Sequence, residues 1–368
     1  MSTSLDPSRK VKVGIIGSGG IARLHARYYK DLPFVQVSAV ADIVPGRARA
    51  FIEREGLEGA AAYESHQALL EKADVEAVSV CTYNMAHREP TVDALSAGKH
   101  VCLEKPMAAT LPDAQEIMRA WAAAKDRILM VAFQPDFGPQ HKAAKQIMDS
   151  GVLGDIYYAE SVNHRRWGIP GGSFLRRDTA GLGALVDIGV YALHSTLTLM
   201  GDPKPVSVSA ITTSVLGKNV KGGVGRFGSW STWRAEEIEV EEFAAAFVRL
   251  ENGGVILFKT CWASNADSIG RPFFLGTKGG MALNPRGVEP GIEVYFNQQI
   301  GDLNMTGHPV GLETYDDWPL KIKAFAEAVR DGQPSPIDPR GVYLTNVIMD
   351  GAQRSAELGH EVKVDCSY

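Results

Sequence analysis

The sequence predicts a two-domain α/β chain: a doubly wound parallel sheet, then an α+β domain on a large, mostly antiparallel open sheet. Three observations predict it. At 368 residues the chain is too long for one ordinary core. Its first third alternates short apolar runs with amphipathic stretches, the rhythm of βαβ units. After about Pro135 that rhythm gives way to longer strand-like runs.

In the first third, Val11–Ile16 reads as a strand, Ala22–Lys30 as a helix, Val35–Ala41 as a strand and Gly46–Arg54 as a helix. Ala77–Cys81, His100–Leu103 and Ile128–Phe133 are further strands, with helices at His87–Ala97 and Leu111–Ala124. In the second part His141–Ser150 is a helix stopped by Gly151. Ile156–Val162, Val206–Thr213, Ala244–Leu250 and Val255–Cys261 are strands, the last two joined at Glu251-Asn252-Gly253-Gly254, a hairpin signal. One helix near Gly183–Met200 interrupts them and is expected to cover one face of the sheet. Gly217–Trp233, rich in Gly, Ser and Trp, reads as a loop. The expected division is a tail over 1–10, a nucleotide domain over 11–136 and a second domain over 137–368. No linker separates the domains, so they are expected to pack together.

A formal net charge of −5 with 22% charged residues gives no electrostatic reason to expect nucleic acid or an anionic membrane as partner. No apolar run approaches the roughly 20 residues that cross a bilayer. Met1–Lys10 is polar and reads as an untethered tail without a targeting pattern. Cys81, Cys102, Cys261 and Cys366 are scattered and form no CxxC, which fits a reducing cytoplasm.

Gly17-Ser18-Gly19-Gly20-Ile21-Ala22 follows a strand and opens a helix, matching G-x-G-x-x-A. The first glycine allows a tight turn, the second lets the backbone approach a pyrophosphate, and the small third residue lets helix and strand pack closely. The phosphate would rest on the helix N-terminus, where free N–H groups and the dipole favour an anion. Asp42 ends the second strand 25 residues after Gly17 (42 − 17), where a carboxylate accepts from an adenosine ribose and repels a 2′-phosphate. This is a Rossmann site expected to prefer NAD. NADP stays possible, because Arg47 is placed either to clamp a phosphate or to lie on the helix surface.

Two further segments carry a resemblance: Thr82-Tyr83-Asn84-Met85-Ala86-His87, and Ala97-Gly98-Lys99-His100-Val101-Cys102-Leu103-Glu104-Lys105-Pro106. With the glycine turn they resemble the glucose–fructose oxidoreductase/inositol dehydrogenase (Gfo/Idh/MocA) family, with Tyr83 in place of the usual proline. The resemblance implies that Thr82, Asn84, His87, Glu104, Lys105 and Pro106 line the cofactor, with Lys105 reaching the substrate hydroxyl. The Pro106 peptide is often cis in relatives.

On the Gly183–Met200 helix, Val186, Val190, Leu193, Leu197 and Met200 form one apolar stripe. Asp187, Tyr191, His194 and Thr198 form a polar stripe one residue away, with Asp187 and Tyr191 an i, i+4 pair. In the family such an Asp, followed four residues later by His or Tyr, completes the active site; the tyrosine form is similar to glucose–fructose oxidoreductase and the dimeric dihydrodiol dehydrogenases.

Oxidising a secondary alcohol needs a base for the hydroxyl proton while hydride leaves the carbon. A free tyrosine has a pKa of about 10, and a nearby cation favours its phenolate. Tyr191 is thus the expected acid/base with Lys105 as its partner, or Lys105 is itself the base. Asp187 holds the substrate hydroxyl or orients Lys105. His194 either contacts substrate or is a hydrogen-bonded histidine at the domain boundary. His164, Arg165 and Trp167 end a strand of the second domain, and related sequences place such a segment over the substrate; a Trp flanked by arginines suits a sugar ring. The histidines lack metal-ligand spacing, and no metal is expected.

The function expected is NAD-dependent oxidation of a ring secondary hydroxyl of a sugar, glycoside or cyclitol. The alternatives are an NADP-dependent sugar reductase or trans-dihydrodiol dehydrogenase, NAD-dependent glycoside cleavage, or a non-catalytic sugar sensor. By resemblance the partner beyond the carbohydrate or polyol substrate is a second copy, as a homodimer or homotetramer paired through the open sheet face.

Overall fold

The computed structural model describes residues 9–219, 233–285, 288–300, 303–312 and 315–368. The expected tail up to residue 8, and most of the expected loop Gly217–Trp233, lie outside these. In chain order the elements are β1 (Val11–Ile16), α1 (Gly20–Lys30), β2 (Val35–Ala41), α2 (Arg47–Glu55), β3 (Ala61–Tyr63), α3 (His66–Lys72), β4 (Ala77–Val80), α4 (Arg88–Ser96), β5 (His100–Leu103), α5 (Leu111–Ala123) and β6 (Leu129–Val131). There follow α6 (Pro139–Asp149), β7 (Ile156–His164), α7 (Arg177–Ala180), α8 (Val190–Leu199), β8 (Pro205–Thr213), α9 (Val215–Asn219), β9 (Phe243–Leu250) and β10 (Val255–Cys261). The last are β11 (Phe273–Gly276), β12 (Gly279–Leu283), β13 (Ile292–Ile300), β14 (Leu303–Gly307), α10 (Trp318–Asp331), α11 (Pro339–Leu358) and β15 (Val362–Lys363).

Two compact units result: Met1–Gln134 with Asp316–Val342, and Pro135–Tyr315 with Tyr343–Ser367. The first holds a six-stranded parallel sheet of order β3-β2-β1-β4-β5-β6. β4 and β6 are buried along their whole length, as strands covered on both faces must be. The strand order reverses between β1 and β4, so the loops after β1, β2 and β4 leave the sheet side by side at its carboxyl edge. β3 and α3 are absent from the sequence reading; β3 is three residues long and nowhere fully buried, so it leaves no apolar run.

The sequence also placed everything beyond residue 137 in the second domain. The segment Asp316–Val342 instead groups with the first unit. The cause is α10, whose Ile322, Phe325, Ala326 and Val329 are buried and which packs on α1, β1 and β5.

The second unit is a nine-stranded sheet of order β14-β13-β12-β11-β7-β10-β9-β8-β15, antiparallel except between β7 and β10. β9 alternates cleanly: Ala244, Ala246, Val248 and Leu250 point inward, Phe247 and Arg249 outward. The inner face is covered by α8, and by α11 where Gly351 approaches Val208 so closely that an added Cβ would lie 2.9 Å from a Val208 methyl. The outer face carries Ile211, Phe247, Leu275 and Tyr295, all exposed.

The helix read over Gly183–Met200 is not uniform. Leu185–Gly189 is a π-helical turn, and α8 continues from it. Gly189 lets this turn press on β10, because a Cβ there would lie 2.8 Å from the Phe258 ring and 2.9 Å from a Thr260 methyl. Contrary to the expectation of no such run, Arg177–Leu199 is long and apolar enough by composition to cross a membrane, its most apolar 18 residues having a mean hydropathy of 1.4. It is mostly buried inside the protein, as a core helix is.

Candidate active site

Gly17 leaves β1 with φ +89, and an added Cβ would stand 2.8 Å from the Cys81 carbonyl oxygen, so only glycine fits. Gly19 and Gly20 face open space, with nothing within 4 Å of an added Cβ. No side chain caps α1 and no acidic residue lies in its first turn, so Ile21 and its neighbours present bare N–H groups. This is a cradle that a Cβ would fill, and it fits the pyrophosphate of a dinucleotide.

Asp42 lies in the loop next door. Its Oδ2 accepts from the Ser18 backbone N at 3.0 Å and hydroxyl at 2.5 Å, and its Oδ1 from Val44 N at 3.0 Å. Burial pushes this carboxyl up, but those bonds and the charge of Arg47 outweigh it and leave it below its ordinary value. Asp42 therefore braces the glycine loop through Ser18. Arg47 is exposed at the start of α2.

Thr82 and Asn84 are partly exposed in the loop after β4, and the Thr82 hydroxyl donates to Ala86 O at 2.9 Å. His87 is buried. Its Nδ1 lies 2.8 Å from Pro106 O and its Nε2 3.2 Å from Thr82 O, so the ring ties the loop after β4 to the loop after β5. Expected to line the cofactor, it has a loop carbonyl within reach of each ring nitrogen, and as a neutral ring it donates to one of the two. The Lys105–Pro106 peptide is cis, and Lys105 is partly exposed.

Glu104, also expected at the cofactor, points into the unit's interior. Its Oε1 takes His25 Nε2 at 2.8 Å and Lys321 Nζ at 2.5 Å, and its Oε2 takes the Lys105 backbone N at 3.3 Å. His25 Nδ1 lies 3.0 Å from Ser79 Oγ, which lies 2.8 Å from the Tyr29 hydroxyl. Burial pulls the His25 pKa down against the pull of Glu104. Burial pushes the Glu104 carboxyl up, but Lys321 and His25 overcome it and leave it well below the carboxylate range. An ionised Glu104 with a neutral His25 fixes every proton: Tyr29 donates to Ser79, Ser79 to His25 Nδ1, and His25 Nε2 to Glu104.

In the second unit, Asp187 sits in the π turn, almost fully buried. Trp262 Nε1 donates to its Oδ2 at 2.9 Å and Arg165 Nη1 stands 3.7 Å away. The turn's entry is held by buried Glu241, whose Oε1 accepts from Gly183 N at 2.7 Å and Leu185 N at 3.0 Å. Asn163 Nδ2 donates to Ile188 O at 2.9 Å. π turns recur at functional sites. Tyr191 follows on α8, partly exposed. The segment His164–Gly168 lies along the chain after β10: Arg165 N donates to Cys261 O at 2.9 Å, His164 Nε2 lies 2.6 Å from Ser264 Oγ, and Trp167 bridges to Ala263. Trp167 also packs against a cluster of Ile169, Ile188, Trp233 and Trp262, so part of the ring expected to meet a sugar is core.

His194, weighed as a substrate contact, is buried with Nε2 2.7 Å from Asp136 Oδ2. That bond is the one expected of the alternative reading, a hydrogen-bonded histidine. Ligand spacing, which the sequence does not show, arises in the fold: ligand atoms of His66, Glu89 and Asp93 lie within 4.8 Å of one another on the first unit. His66 and Asp93 are already hydrogen-bonded at 2.9 Å, and none of the three belongs to the loops above. Sequence reasoning missed His25, Lys321, Glu241 and Trp262. Of these only Lys321 leaves a signal, a lysine one turn before Phe325 on a buried stripe.

Residues 11–133 match the oxidoreductase family with an NAD-binding Rossmann fold, GFO_IDH_MocA, and residues 141–282 match the GFO/IDH/MocA C-terminal domain. The D-glucoside 3-dehydrogenase of Escherichia coli (strain K12) is 30% identical over 362 residues, covering 97% of this chain and 98% of that protein. Inositol 2-dehydrogenase of Pseudomonas savastanoi pv. phaseolicola is 38% identical over 39% of this chain and 43% of its own length. The fold is also that of levoglucosan dehydrogenase in complex with NADH and L-sorbose, with a TM-score of 0.79 and 21% identity over 97% of this chain and 99% of that one. With a relative matched end to end and both domains recognised, the chain belongs to the Gfo/Idh/MocA family of oxidoreductases, and its first unit is an NAD-binding Rossmann domain.

Proposed function

We propose that this protein is an NAD-dependent dehydrogenase that oxidises a ring secondary hydroxyl of a sugar, glycoside or cyclitol. The observation that carries the reading is the end-to-end similarity to a D-glucoside 3-dehydrogenase. The braced, ionised Asp42 supports NAD over NADP, since a fixed carboxylate repels a 2′-phosphate.

The nicotinamide supplies the hydride acceptor for the substrate carbon. Tyr191 takes the hydroxyl proton as a phenolate, and Lys105 supplies the positive charge that favours that phenolate. Asp187, fixed by the Trp262 N–H with the Arg165 guanidinium 3.7 Å away, accepts a hydrogen bond from a substrate hydroxyl. Arg165, His164 and the free edge of Trp167 contact the ring. The protein works as a homodimer or homotetramer, and the support is the exposed row Ile211, Phe247, Leu275 and Tyr295 on the sheet's outer face. A cytoplasmic location is supported by four free cysteines, three of them buried.

The test is NADH formation from NAD+ across methyl glucosides, free hexoses and inositols, with NADP+ in parallel. Oxidation of at least one with a clear preference for NAD+ supports the reading; preference for NADP+ overturns the cofactor assignment. Lys105→Ala should abolish turnover and leave NADH binding within about threefold. Retained turnover in that variant removes Lys105 from the chemistry.

A further inference from the structure

The Rossmann unit buries a carboxylate, an ammonium and an imidazole beneath the end of β5, although NAD binding through the glycine loop requires none of them. Glu104 is 4% exposed, Lys321 1% and His25 0%. Burying a charge pair of this kind is costly unless its geometry is fully satisfied, and it is no simple source of stability. Here both oxygens of the carboxylate are satisfied. Lys321 and His25 share Oε1 of Glu104, and Oε2 is left for the backbone N–H of Lys105. The Glu104 amide is itself bonded to Val80 O at 3.0 Å, so the residue is pinned at both ends.

We propose that Lys321 is a positioning residue for Lys105. It locks the Glu104 carboxylate by Oε1 so that Oε2 holds the Lys105 backbone, and the lysine leaves the strand in one fixed direction. This rests on the reading of Lys105 as the residue beside the substrate hydroxyl.

The arrangement has an electrostatic side as well. With His25 neutral, Glu104 and Lys321 sum to zero, so the ground beneath Lys105 is uncharged. The other ionisable groups of this core that bear on it are Cys81, Cys102, Tyr29 and His87, and burial keeps each of them neutral near pH 7. Lys321 is also 5.6 Å from the Trp318 ring, which helps hold its ammonium in place.

The experiment compares the full-length protein with Lys321→Met and with the double variant Glu104→Gln/Lys321→Met, which removes both charges and protects the fold. Crystal structures with NADH and titrations of NADH binding are read beside turnover per NADH-binding site on the best substrate of the panel. The expected result, in the single variant or in the double one if the single does not fold, is a Lys105 backbone shifted or spread over more than one position. NADH affinity stays within about threefold, and turnover per site falls at least tenfold with KM changed far less. A Lys105 left in place with turnover per site within twofold overturns the proposal. If Lys105→Ala retains turnover, the reading of Lys105 falls instead; an inactive Lys105→Ala beside a fully active Lys321→Met removes only Lys321.

Discussion

The indole N–H of Trp262 is bonded to Asp187 Oδ2 at 2.9 Å, joining the residue that follows β10 to the π turn ahead of α8. The indole is fully buried, so its N–H has no water to turn to. Trp262→Phe keeps most of the apolar volume and deletes this one donor. A hydrogen bond to a charged group contributes about 1.5–3 kcal/mol. The variant should lose about that much stability in a urea titration and about tenfold or more in kcat. Wild-type kcat in a stably folded variant would remove Asp187 orientation from the mechanism.

Asp42→Ala is expected to act on two things together. It removes the carboxylate proposed to meet the ribose and leaves Ser18 without its acceptor, so NAD+ binding weakens. It also leaves Arg47 as the nearest charge, so the ratio of kcat/KM for NADP+ over NAD+ should rise at least about tenfold, about 1.4 kcal/mol. An unchanged ratio would mean that Asp42 only braces the loop.

Stability should fall as the solution is made acidic. Burial lowers the pKa of His25, His87 and His141, and burial with the charge of Arg127 lowers His100 to about 4. In the unfolded chain each titrates at about 6.5. Between those values the unfolded state binds more protons than the folded one, so the contribution present above about pH 6.5 is lost as pH falls toward 4. Glu104, depressed by its partners, adds a loss of the same sign below its unfolded value of about 4.3. Tm measured from pH 7.5 to 5 should decline, and His100→Gln should flatten part of the slope. Glu241 and Glu242, pushed up by burial, act with the opposite sign, so a His100→Gln slope no flatter than wild type is the result that would contradict the burial of the His100 ring.

Phe247 and Leu275 are each 37% exposed on the outer sheet face. Phe247→Lys with Leu275→Lys places two like charges on a face that a second copy would have to cover. Sedimentation should show a smaller species than wild type, with the Rossmann unit still binding NADH. If both proteins sediment alike, this face is not the interface.

Local signals carried most of what was legible in the sequence. β1, β2, β5 and β10 are short apolar runs between turn residues, and their limits could be read residue by residue. The glycine loop was equally plain, because its chemistry lies within six consecutive residues. β11 and β12 were not, since Gly276, Gly279 and Gly280 break the alternation that marks a strand. The π turn was invisible because an i, i+4 pattern does not distinguish it from an α-helix. His25 and Lys321 escaped, and Glu104 was read at the cofactor and not in the core, for another reason: Lys321 and Glu104 are 217 residues apart, and only the fold makes them neighbours.

That separation sets an order of events during synthesis. Strands β1 to β6 are complete once residue 131 has left the ribosome, yet the counter-charge for Glu104 arrives only with Lys321. At roughly 5–20 residues per second the gap is about 10–40 s. For that interval the nascent sheet holds a carboxylate it cannot neutralise and an α1 face that α10 has not covered. A nascent chain arrested before Trp318 should therefore be cut by protease within β1–β6, and one arrested beyond the second unit should resist. The nucleotide domain is begun before the second unit and finished after most of it.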